Sequence, residues 1–341
     1  MPRSAKTVPA LLLAILLLSA CGKAELTRFE GSFFGAFDCT ISVIAYCESQ
    51  EAFDALLTEV QSEFLRYHKL FDIYTTYPGL VNLKTVNDSA GKAPVAVPSE
   101  IMELLSLAKE MYDLTGGRVN IAMGRVLRIW HDIREYNTAF PDSPLLPDRE
   151  LLEDAAKHCS IDALTLDEKA GTVFFADDQM SLDVGAIAKG YATERIAQKL
   201  LAEGYGSVSI NAGGNVRVLG KKPDGSAWNI GITDPEPLSG EKNLRSVSLS
   251  FGSVVTSGSY QRFFVCGGRR YHHIIDGETL CPENRYLSLS VVTEDSGRAD
   301  ALSTALFNMD YADGAKFVAE TEGLEAMWIF PDGTVKYSDG F

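Results

Sequence analysis

The sequence of 341 residues has few cysteines, and no two of them form a Cys-x-x-C pair. This spacing excludes a zinc framework and gives no sign of a disulfide scaffold, so buried free thiols are the expectation. The chain also has no internal repeat, long linker or low-complexity stretch after its first twenty residues, which excludes a repeat array. The six cysteines are Cys21, Cys39, Cys47, Cys159, Cys266 and Cys281.

Positive charge is scarce as well. The chain has 31 Lys and Arg against 46 Asp and Glu, a net charge of −15. This balance argues against general nucleic-acid binding, which needs basic patches. Any site for a phosphate ligand must therefore supply its positive charge locally, from a lysine, a metal ion or backbone N–H groups.

The N-terminus has the pattern of an export signal. Arg3 and Lys6 precede the apolar run Leu11–Leu18, which is too short to span a membrane as a mature helix. Leu18-Ser-Ala-Cys21 then fits a bacterial lipobox, with lipid attached to the Cys21 sulfur. A plain secretory signal that happens to end in cysteine is the alternative.

The lipobox predicts the domain organisation. Residues 1–20 are expected to be a signal peptide, residues 21–28 a tether, and residues 29–341 the folded part, which is long enough to bury one large core or two linked lobes. Lipidated Cys21 would hold the protein on a membrane surface, facing the periplasm, without crossing the bilayer.

Hydrophobic periodicity predicts a mixture of helices and hairpin-like strands, the α+β class. A loop is expected from Tyr136 to Pro147, which contains three prolines. Helices are predicted over 51–70, 99–115, 148–159, 300–308 and 311–322, and strands over 37–45, 208–211, 228–232, 247–249, 287–293, 326–330 and 335–337. Ser99 is the predicted N-cap of the second of these helices, and Gly116-Gly117 is its predicted end.

The segment from Ser181 to Gly190 reads as strand, bend and helix. Ser181 to Val184 would end a buried strand, Gly185 would make the bend, and a helix would begin at Ala186. Asp183 and Lys189 bracket this bend, and the first turn of the helix has free N–H groups that attract anions. The segment therefore suits a metal-bound phosphate ligand, although an ordinary corner with Lys189 in solvent has the same pattern.

Asp300 and Thr304 are four residues apart on a predicted helix, and hence on one face. A carboxylate with a hydroxyl gives oxygen ligands of the kind that Mg²⁺ prefers. The alternative is a first-turn aspartate that stabilises the helix N-terminus and a threonine bonded to its own backbone.

Glycines and histidines complete the candidate site. Gly213, Gly214 and Gly258 leave the backbone open to close approach by a nucleotide, or else make ordinary tight turns. His272 and His273 adjoin each other in a strand-like stretch, so their imidazoles face opposite ways and one can point into a cleft.

Five motifs, in order, resemble those of the FAD:protein FMN transferases, the ApbE-type flavin transferases. The resemblance runs from about residue 30 to the C-terminus. The motifs are Asp183-Val-Gly-Ala-Ile-Ala-Lys-Gly-Tyr191, Asn211-Ala-Gly-Gly-Asn215, Thr256-Ser-Gly-Ser-Tyr260 with Arg262, His272-His-Ile-Ile-Asp276 and Ala299-Asp-Ala-Leu-Ser-Thr304.

The resemblance implies a T-fold-like α+β domain with the flavin nucleotide in the cleft between two lobes. It implies Mg²⁺-dependent transfer of FMN from FAD to a Ser/Thr hydroxyl of a target protein, with release of AMP. The target would carry a Ser/Thr-Gly-Ala-Ser/Thr-type motif. Asp300, Thr304 and the backbone carbonyl of Ala186 would hold the Mg²⁺, and Asp300 and His273 are the catalytic candidates, with the general base left open.

The resemblance also implies a set of FAD-binding residues. Its N-terminal half is the weaker one, because Phe34-Gly-Ala36 replaces Met-Gly-Thr and Gly116-Gly-Arg-Val-Asn120 replaces Gly-Ala-Phe-Asp. Tyr74, or Tyr77 instead, would stack on a ring of FAD. The FAD-binding residues are Phe34, Tyr74, Gly117, Arg118, Val119, Asn120, Asp183, Lys189, Gly213, Gly214, Ser257, Gly258, His273 and Ile274.

Three other functions fit parts of the sequence. An FAD pyrophosphatase would use the same site with water as the nucleophile and release FMN and AMP. A non-catalytic FAD-binding lipoprotein would keep the glycines and aromatics but would not need Asp300 and Thr304. A solute-binding lipoprotein for another ligand fits the lipobox and the length but leaves the five motifs unexplained.

Overall fold

A computed structural model describes residues 25–235 and 243–341 of the chain. The predicted signal peptide and the candidate lipidation residue, Cys21, lie outside the described residues. The first strand begins at Thr27, within the segment predicted as a tether. None of the helices within the described ranges is long and apolar enough to cross a membrane.

The centre of the fold is a sheet of eight strands in the order β1-β2-β6-β7-β10-β13-β14-β15. Every neighbouring pair in this sheet is antiparallel. The strands are β1 (Thr27–Ala36), β2 (Cys39–Cys47), β6 (Val208–Ala212), β7 (Asn215–Leu219), β10 (Gly252–Gly258), β13 (Ser288–Thr293), β14 (Glu325–Ile329) and β15 (Val335–Tyr337).

Seven further strands form three small sheets. The β8–β9 pair covers one face of the central sheet, where Trp228, Ile230 and Ile232 pack with valines of β7 and β10. These strands are β3 (Val95–Ala96), β4 (Leu164–Asp167) and β5 (Thr172–Phe175) in one sheet, β8 (Trp228–Thr233) and β9 (Asn243–Leu249) in another, and β11 (Phe263–Cys266) and β12 (Arg269–His272) in the third.

Helices α1, α6 and α7 pack against the central sheet. The helix α1 buries Phe53, Leu56, Val60 and Phe64, which are spaced three or four residues apart, because this spacing places them on one face. The helices are α1 (Gln50–Phe71), α2 (Leu83–Asp88), α3 (Ser99–Leu114), α4 (Gly124–Ala139), α5 (Arg149–Ala156), α6 (Ala188–Ala202), α7 (Ser296–Phe307) and α8 (Tyr311–Glu320).

A second, smaller lobe has its own apolar core. Met123, Val126 and Trp130 of the α4 region pack there with Phe264 of β11 and Leu280. The main core lies between the helices and the central sheet. The prediction of a T-fold-like α+β fold with two lobes is confirmed.

Three local predictions are wrong. Ser181–Val184 is not a strand, because Ser181 makes only an isolated bridge to Met123 and the chain then turns, so that α6 begins at Ala188 rather than Ala186. The predicted loop from Tyr136 begins inside α4, which continues to Ala139. Ser99 is the first residue of α3 and does not cap it with a side-chain hydrogen bond.

The five cysteines that the structure describes are free, as predicted, but only Cys47 is buried, and the other four are partly exposed.

Candidate active site

A cavity of about 500 Å³ lies between the two lobes. The turn between β1 and β2, the end of α1 and the face of α4 form part of its wall. The turn before α6, the end of β10, the β11–β12 hairpin and α7 form the rest. Seven segments of the chain therefore face one space, and that space is large enough for a nucleotide.

Asp300 and Lys189 form an ion pair on the cavity wall. Lys189 Nζ lies 3.2 Å from Asp300 Oδ1, and the Gly190 N–H donates to Asp300 Oδ2 at 2.8 Å. Asp300 is only 5% exposed. The lysine and the first turn of α6 thus hold a buried carboxylate of α7, as the combination of positive charge and free N–H groups favours.

The surroundings of Asp300 exclude the alternative of a first-turn aspartate that stabilises the helix N-terminus. It lies in the second turn of α7, whereas Asp295 caps the helix by accepting a hydrogen bond from the Arg298 N–H at 2.8 Å. Asp300 and Thr304 both line the cavity, and Ala186 of the preceding turn faces the same space. Asp300 and Thr304 therefore line the same cavity as the segment around residue 186.

The donor chemistry at this point fits Mg²⁺. Asp300, Thr304 and the Ala186 carbonyl would supply oxygen ligands only, which suit a hard cation that keeps water and shares ligands with phosphates. Across residues 25–235 and 243–341, no group of three or more His, Cys, Asp or Glu side chains is arranged to hold a metal ion.

Asp183 lies at the bend before α6 and lines the cavity. Its N–H donates to the Ile121 carbonyl at 2.8 Å, and its Oδ1 accepts from the Gly185 N–H at 2.8 Å. Burial raises the pKa of this carboxyl, since few charges nearby compensate for the lost water. Asp183 is thus placed to hydrogen-bond a ligand in the cavity.

The two histidines differ in their hydrogen bonding. In His272, Nδ1 accepts from the Ile274 N–H at 3.2 Å and Nε2 lies 3.1 Å from the Glu283 carbonyl, so both ring nitrogens are satisfied. In His273, buried Nδ1 has no hydrogen-bond partner among the described residues. Both imidazoles line the cavity, so the choice of His273 as the ligand-facing imidazole stays a prediction.

Both imidazoles have lowered pKa values. Burial lowers the pKa of His272 to about 4. Burial, with a smaller contribution from the positive charge of Arg262, lowers the pKa of His273 to about 3. His273 is therefore neutral at neutral pH.

Tyr74 lines the cavity and packs against α4. Its ring centroid lies 5.4 Å from that of His131, and the Arg128 guanidinium lies 5.3 Å from the Tyr74 centroid. Tyr77 instead donates a hydrogen bond to Asp72 Oδ2 at 2.7 Å and does not line the cavity. Of the two tyrosines proposed from the sequence, Tyr74 is thus the one placed to meet a ligand.

The segment after α3 forms another part of the wall, through Arg118, Val119 and Asn120. The Asn120 amide is fixed by the Ala122 N–H, which donates to Oδ1 at 2.8 Å, and by the Cys159 carbonyl, which accepts from Nδ2 at 2.9 Å. Arg118 pairs with Glu278 at 2.9 Å.

The remaining predicted positions divide into two groups. Gly213, Ser257, Gly258 and Ile274 line the cavity. Phe34, Gly117 and Gly214 are not among its lining residues, and Phe34 is 69% exposed on β1.

One wall of the cavity, formed by α4, was not predicted from the sequence. Residues of α4 and its N-cap line the cavity at spacings of three and four, a periodic pattern that could have predicted both the helix and its face. Arg262 belongs to one of the five motifs but was not predicted as a site residue. Its Nη2 donates to the Asp38 carbonyl at 3.2 Å. The missed lining residues of this helical wall are Met123, Leu127, Trp130, His131 and Arg134.

Comparison with known proteins identifies the family. The model of the ApbE family matches residues 37–328, which is most of the chain. The chain belongs to the ApbE family. All five motifs fall within the matched residues, and the segments that carry them meet at the cavity.

Relatives in the ApbE family carry a common name. The chain is 37% identical over 274 residues to an FAD:protein FMN transferase of Treponema pallidum (strain Nichols), covering 76% of this chain and 73% of that protein. It is 30% identical to an FAD:protein FMN transferase of Klebsiella pneumoniae (strain 342), covering 81% and 82%.

Solved structures of the ApbE family have the same fold. The ApbE protein of Thermotoga maritima superimposes with a TM-score of 0.80 at 29% identity, over 92% of this chain and 98% of that one. The flavin transferase ApbE of Vibrio cholerae has a TM-score of 0.73 at 23% identity, over 94% and 99%, and supports the fold alone.

Proposed function

We propose that this protein is an FAD:protein FMN transferase, which moves FMN from FAD to a Ser or Thr hydroxyl of a target protein and releases AMP. The observation that carries the proposal is the Lys189–Asp300 pair, which lies with Thr304 and Ala186 on the wall of a nucleotide-sized cavity. The names of the ApbE-family relatives support the same reaction.

The reaction breaks one phosphorus–oxygen bond and forms another. The acceptor hydroxyl oxygen attacks the phosphorus of the FMN half, the bridging oxygen leaves with AMP, and the hydroxyl proton is lost. Lys189 and the N–H groups of the α6 turn supply positive charge for the pyrophosphate in an otherwise acidic protein. Mg²⁺, when held by Asp300, Thr304 and the Ala186 carbonyl, would neutralise further phosphate charge.

His273 is better suited to holding the nucleotide than to taking the hydroxyl proton. A group with a pKa of about 3 is a weak base at neutral pH, since proton transfer is most effective when the pKa lies near the working pH. As a neutral residue on the cavity wall, His273 can contact a bound nucleotide there.

The proposed target carries a Ser/Thr-Gly-Ala-Ser/Thr-type motif, and the proposed place of reaction is the periplasmic side of a membrane, with Cys21 as the lipid anchor. The lipobox around Cys21 supports this location. Mass spectrometry of protein expressed in bacteria tests it: a lipid-modified Cys21 at the N-terminus is expected, and an unmodified or unprocessed N-terminus would contradict the proposal.

Product analysis by HPLC tests the activity. The purified protein is incubated with FAD and MgCl₂, with and without a peptide that carries the acceptor motif, and EDTA replaces the metal in a parallel sample. Flavin attached to the peptide, with one AMP released per FMN transferred and none in EDTA, is the expected result. FMN and AMP formed equally well without peptide would identify a pyrophosphatase, and intact FAD in every sample would identify a carrier.

Two matched variants connect the activity to the site. Asp300→Asn removes the buried carboxylate charge and is expected to abolish transfer. Asp313→Asn makes the same change at an exposed position of α8 and is expected to leave transfer unchanged. Equal activity of the two variants would rule out the proposed role of Asp300.

A further inference from the structure

A buried ion pair lies behind the candidate site and has no part in the proposed chemistry. Glu194 of α6 and Arg217 of β7 are both buried, and neither lines the cavity. Arg217 Nε donates to Glu194 Oε2 at 2.8 Å, and Nη2 donates to Oε1 at 3.2 Å, which makes the pair bidentate. Removing two charges from water is costly, and an apolar pair of similar volume often gives equal stability. Stability alone therefore does not account for this ion pair.

The Glu194 carboxylate also accepts a hydrogen bond from the first residue of α7. The Ser296 N–H donates to Oε2 at 2.9 Å, and the same oxygen accepts from Arg217 Nε. The first N–H groups of a helix have no partner within the helix, so a carboxylate from another element satisfies one of them and interacts favourably with the positive end of the helix. Glu194 thus connects the start of α7 to α6.

The central sheet fixes the orientation of this carboxylate through Arg217. The third guanidinium nitrogen, Nη1, donates to the Val218 carbonyl at 2.9 Å. The guanidinium also lies 4.1 Å from the centre of the Phe251 ring. Because all three nitrogens of Arg217 have acceptors, the arginine holds Glu194 in one orientation relative to β7.

Two contacts between α6 and α7 lie one helical turn apart. In one, the Gly190 N–H donates to Asp300 Oδ2 at 2.8 Å; in the other, the Ser296 N–H donates to Glu194. Glu194 follows Gly190 by four residues on α6, and Ser296 precedes Asp300 by four residues on α7, so each pair shares a face of its helix. Four residues rise about 6 Å along a helix. The two contacts therefore fix the position and the rotation of α7 against α6, whereas one contact would leave α7 free to pivot about it.

We infer that Glu194 is a positioning residue, which holds the N-terminus of α7 and thereby keeps Asp300 in contact with Lys189 and the Gly190 N–H. Glu194 acts only through α7, since it does not reach the cavity. Arg217 supplies the charge that allows a carboxylate to be buried at this place. The inference deepens the proposed function and rests on it for the role of Asp300 in FMN transfer.

Two double variants separate the hydrogen bond to Ser296 from the ion pair. Both contain Arg217→Met, so neither leaves a buried charge without a partner. Glu194→Met then removes the acceptor of the Ser296 N–H, whereas Glu194→Gln keeps an oxygen at the same chain length. Methionine and glutamine are unbranched and similar in size, so the two variants differ mainly in this acceptor.

The NMR resonance of the Gly190 amide reports the position of Asp300 without any chemistry, because this N–H donates to the Asp300 carboxylate. In Glu194→Met/Arg217→Met, the resonance is expected to move towards its position in Asp300→Asn. In Glu194→Gln/Arg217→Met, it is expected to stay at the wild-type position. HPLC of FMN transfer is expected to show a loss of about tenfold in the first variant and recovery in the second, since residues that hold a metal-ligating side chain in place have effects of this size.

A third variant controls for loss of stability. Ile329 of β14 packs in the core that the β8–β9 pair covers, away from α7. Ile329→Ala is expected to lower the urea midpoint because it leaves a cavity, and to leave the Gly190 resonance unchanged. A shift of the resonance in Ile329→Ala equal to that in Glu194→Met/Arg217→Met would show that it follows stability, and would overturn the positioning role.

Urea denaturation shows that the double variants fold. Their midpoints are expected to lie near the wild-type value, because uncharged side chains replace both members of the buried pair. Glu194→Leu/Arg217→Met takes the place of Glu194→Met/Arg217→Met if the latter has no cooperative transition. An equal Gly190 resonance in the two double variants, or a loss of transfer without a change in this resonance, would overturn the positioning role. The expected change of the resonance in a protein that transfers no FMN would instead overturn the proposed function and leave the positioning role standing.

Discussion

Replacement of Gly190 by alanine adds a methyl group at the closest approach of α6 and α7. A Cβ at this position would lie 2.3 Å from the Ser296 carbonyl oxygen and 2.5 Å from Asp300 Cβ. Contacts under 3.0 Å cannot be kept, and the carbonyl belongs to the backbone of α7, so it cannot move like the end of a flexible side chain. The two helices must therefore separate.

The separation acts directly on the candidate site. The Gly190 N–H donates to Asp300 Oδ2 at 2.8 Å, and Lys189, the preceding residue, pairs with the same carboxylate. A shift of α7 by about 1 Å would misplace Asp300 relative to Lys189, and a displacement of that size can cost about 10²-fold in rate.

The expected loss of stability is of the same order as the loss of activity, since a 10²-fold change in rate corresponds to about 2.7 kcal/mol. Overpacking of a core costs about 1–3 kcal/mol, and the contact with a backbone carbonyl places this site near the upper value. Alanine in a helix recovers up to about 1 kcal/mol relative to glycine. A net loss of about 2 kcal/mol is therefore expected in the free energy of unfolding.

Urea denaturation and HPLC of the transfer reaction measure the two effects on one preparation. Gly314→Ala is the control, because Gly314 is also helical and its Cβ would meet only ordinary contacts of 3.5 Å or more. The control is expected to keep full activity and to gain up to about 1 kcal/mol. Wild-type stability and activity in Gly190→Ala would refute the reasoning that the close approach of α6 and α7 sets the geometry of the site.

Three further changes have defined outcomes. The pKa values of His272 and His273 in the folded protein lie below the ordinary value of about 6.5, so the unfolded state binds more protons as pH falls. Each imidazole should therefore lower the free energy of unfolding by up to about 2 kcal/mol between pH 7 and pH 5. Urea titrations should show a shallower pH dependence in His272→Gln/His273→Gln, and an unchanged slope would contradict the lowered pKa values of the two histidines. Tyr74→Asn should let water reach the phosphate and raise FMN release from FAD without acceptor, measured by HPLC; unchanged release would argue against Tyr74 as a barrier to water. His131→Ala removes the ring that packs on Tyr74 at 5.4 Å, and aromatic pairs contribute about 1 kcal/mol. The Kd of FAD, measured by fluorescence titration, should therefore rise about fivefold. An unchanged Kd would mean that Tyr74 keeps its position without His131.

Elements with a clear period were predictable. The helix predicted over 51–70 is α1, Gln50–Phe71, because its apolar residues recur at helical spacing on one buried face. The glycines at 116 and 117 end α3 as expected, both with positive φ. Local chemistry alone decides such features.

Elements without a period were missed. Strand β7 is buried at all five positions, including Arg217, so its sequence does not alternate. Arg217 is tolerated there because its Nε donates to Glu194 Oε2 at 2.8 Å. That partner is 23 residues away in the sequence, so no local pattern could have predicted the strand from its residues.

The sequence by itself determined which chemical groups this protein has and the order in which they occur. Its motifs resemble those of a flavin-transferase family, and composition predicted free thiols and a local origin for the positive charge at any phosphate site. These properties are readable because turn glycines, helical spacing and residue chemistry act over a few residues.

Only the tertiary structure decided which of these groups meet. Lys189 and Asp300 are 111 residues apart and share an ion pair, and Asp38 and Arg262 are 224 apart and share a hydrogen bond on the cavity wall. It also placed Tyr74 but not Tyr77 on the cavity wall, left His273 Nδ1 without a partner among the residues that the structure describes, and placed α4 in the wall. These outcomes depend on how the sheet and helices pack, because a contact between distant residues is fixed by the whole arrangement and not by the segments that contribute to it.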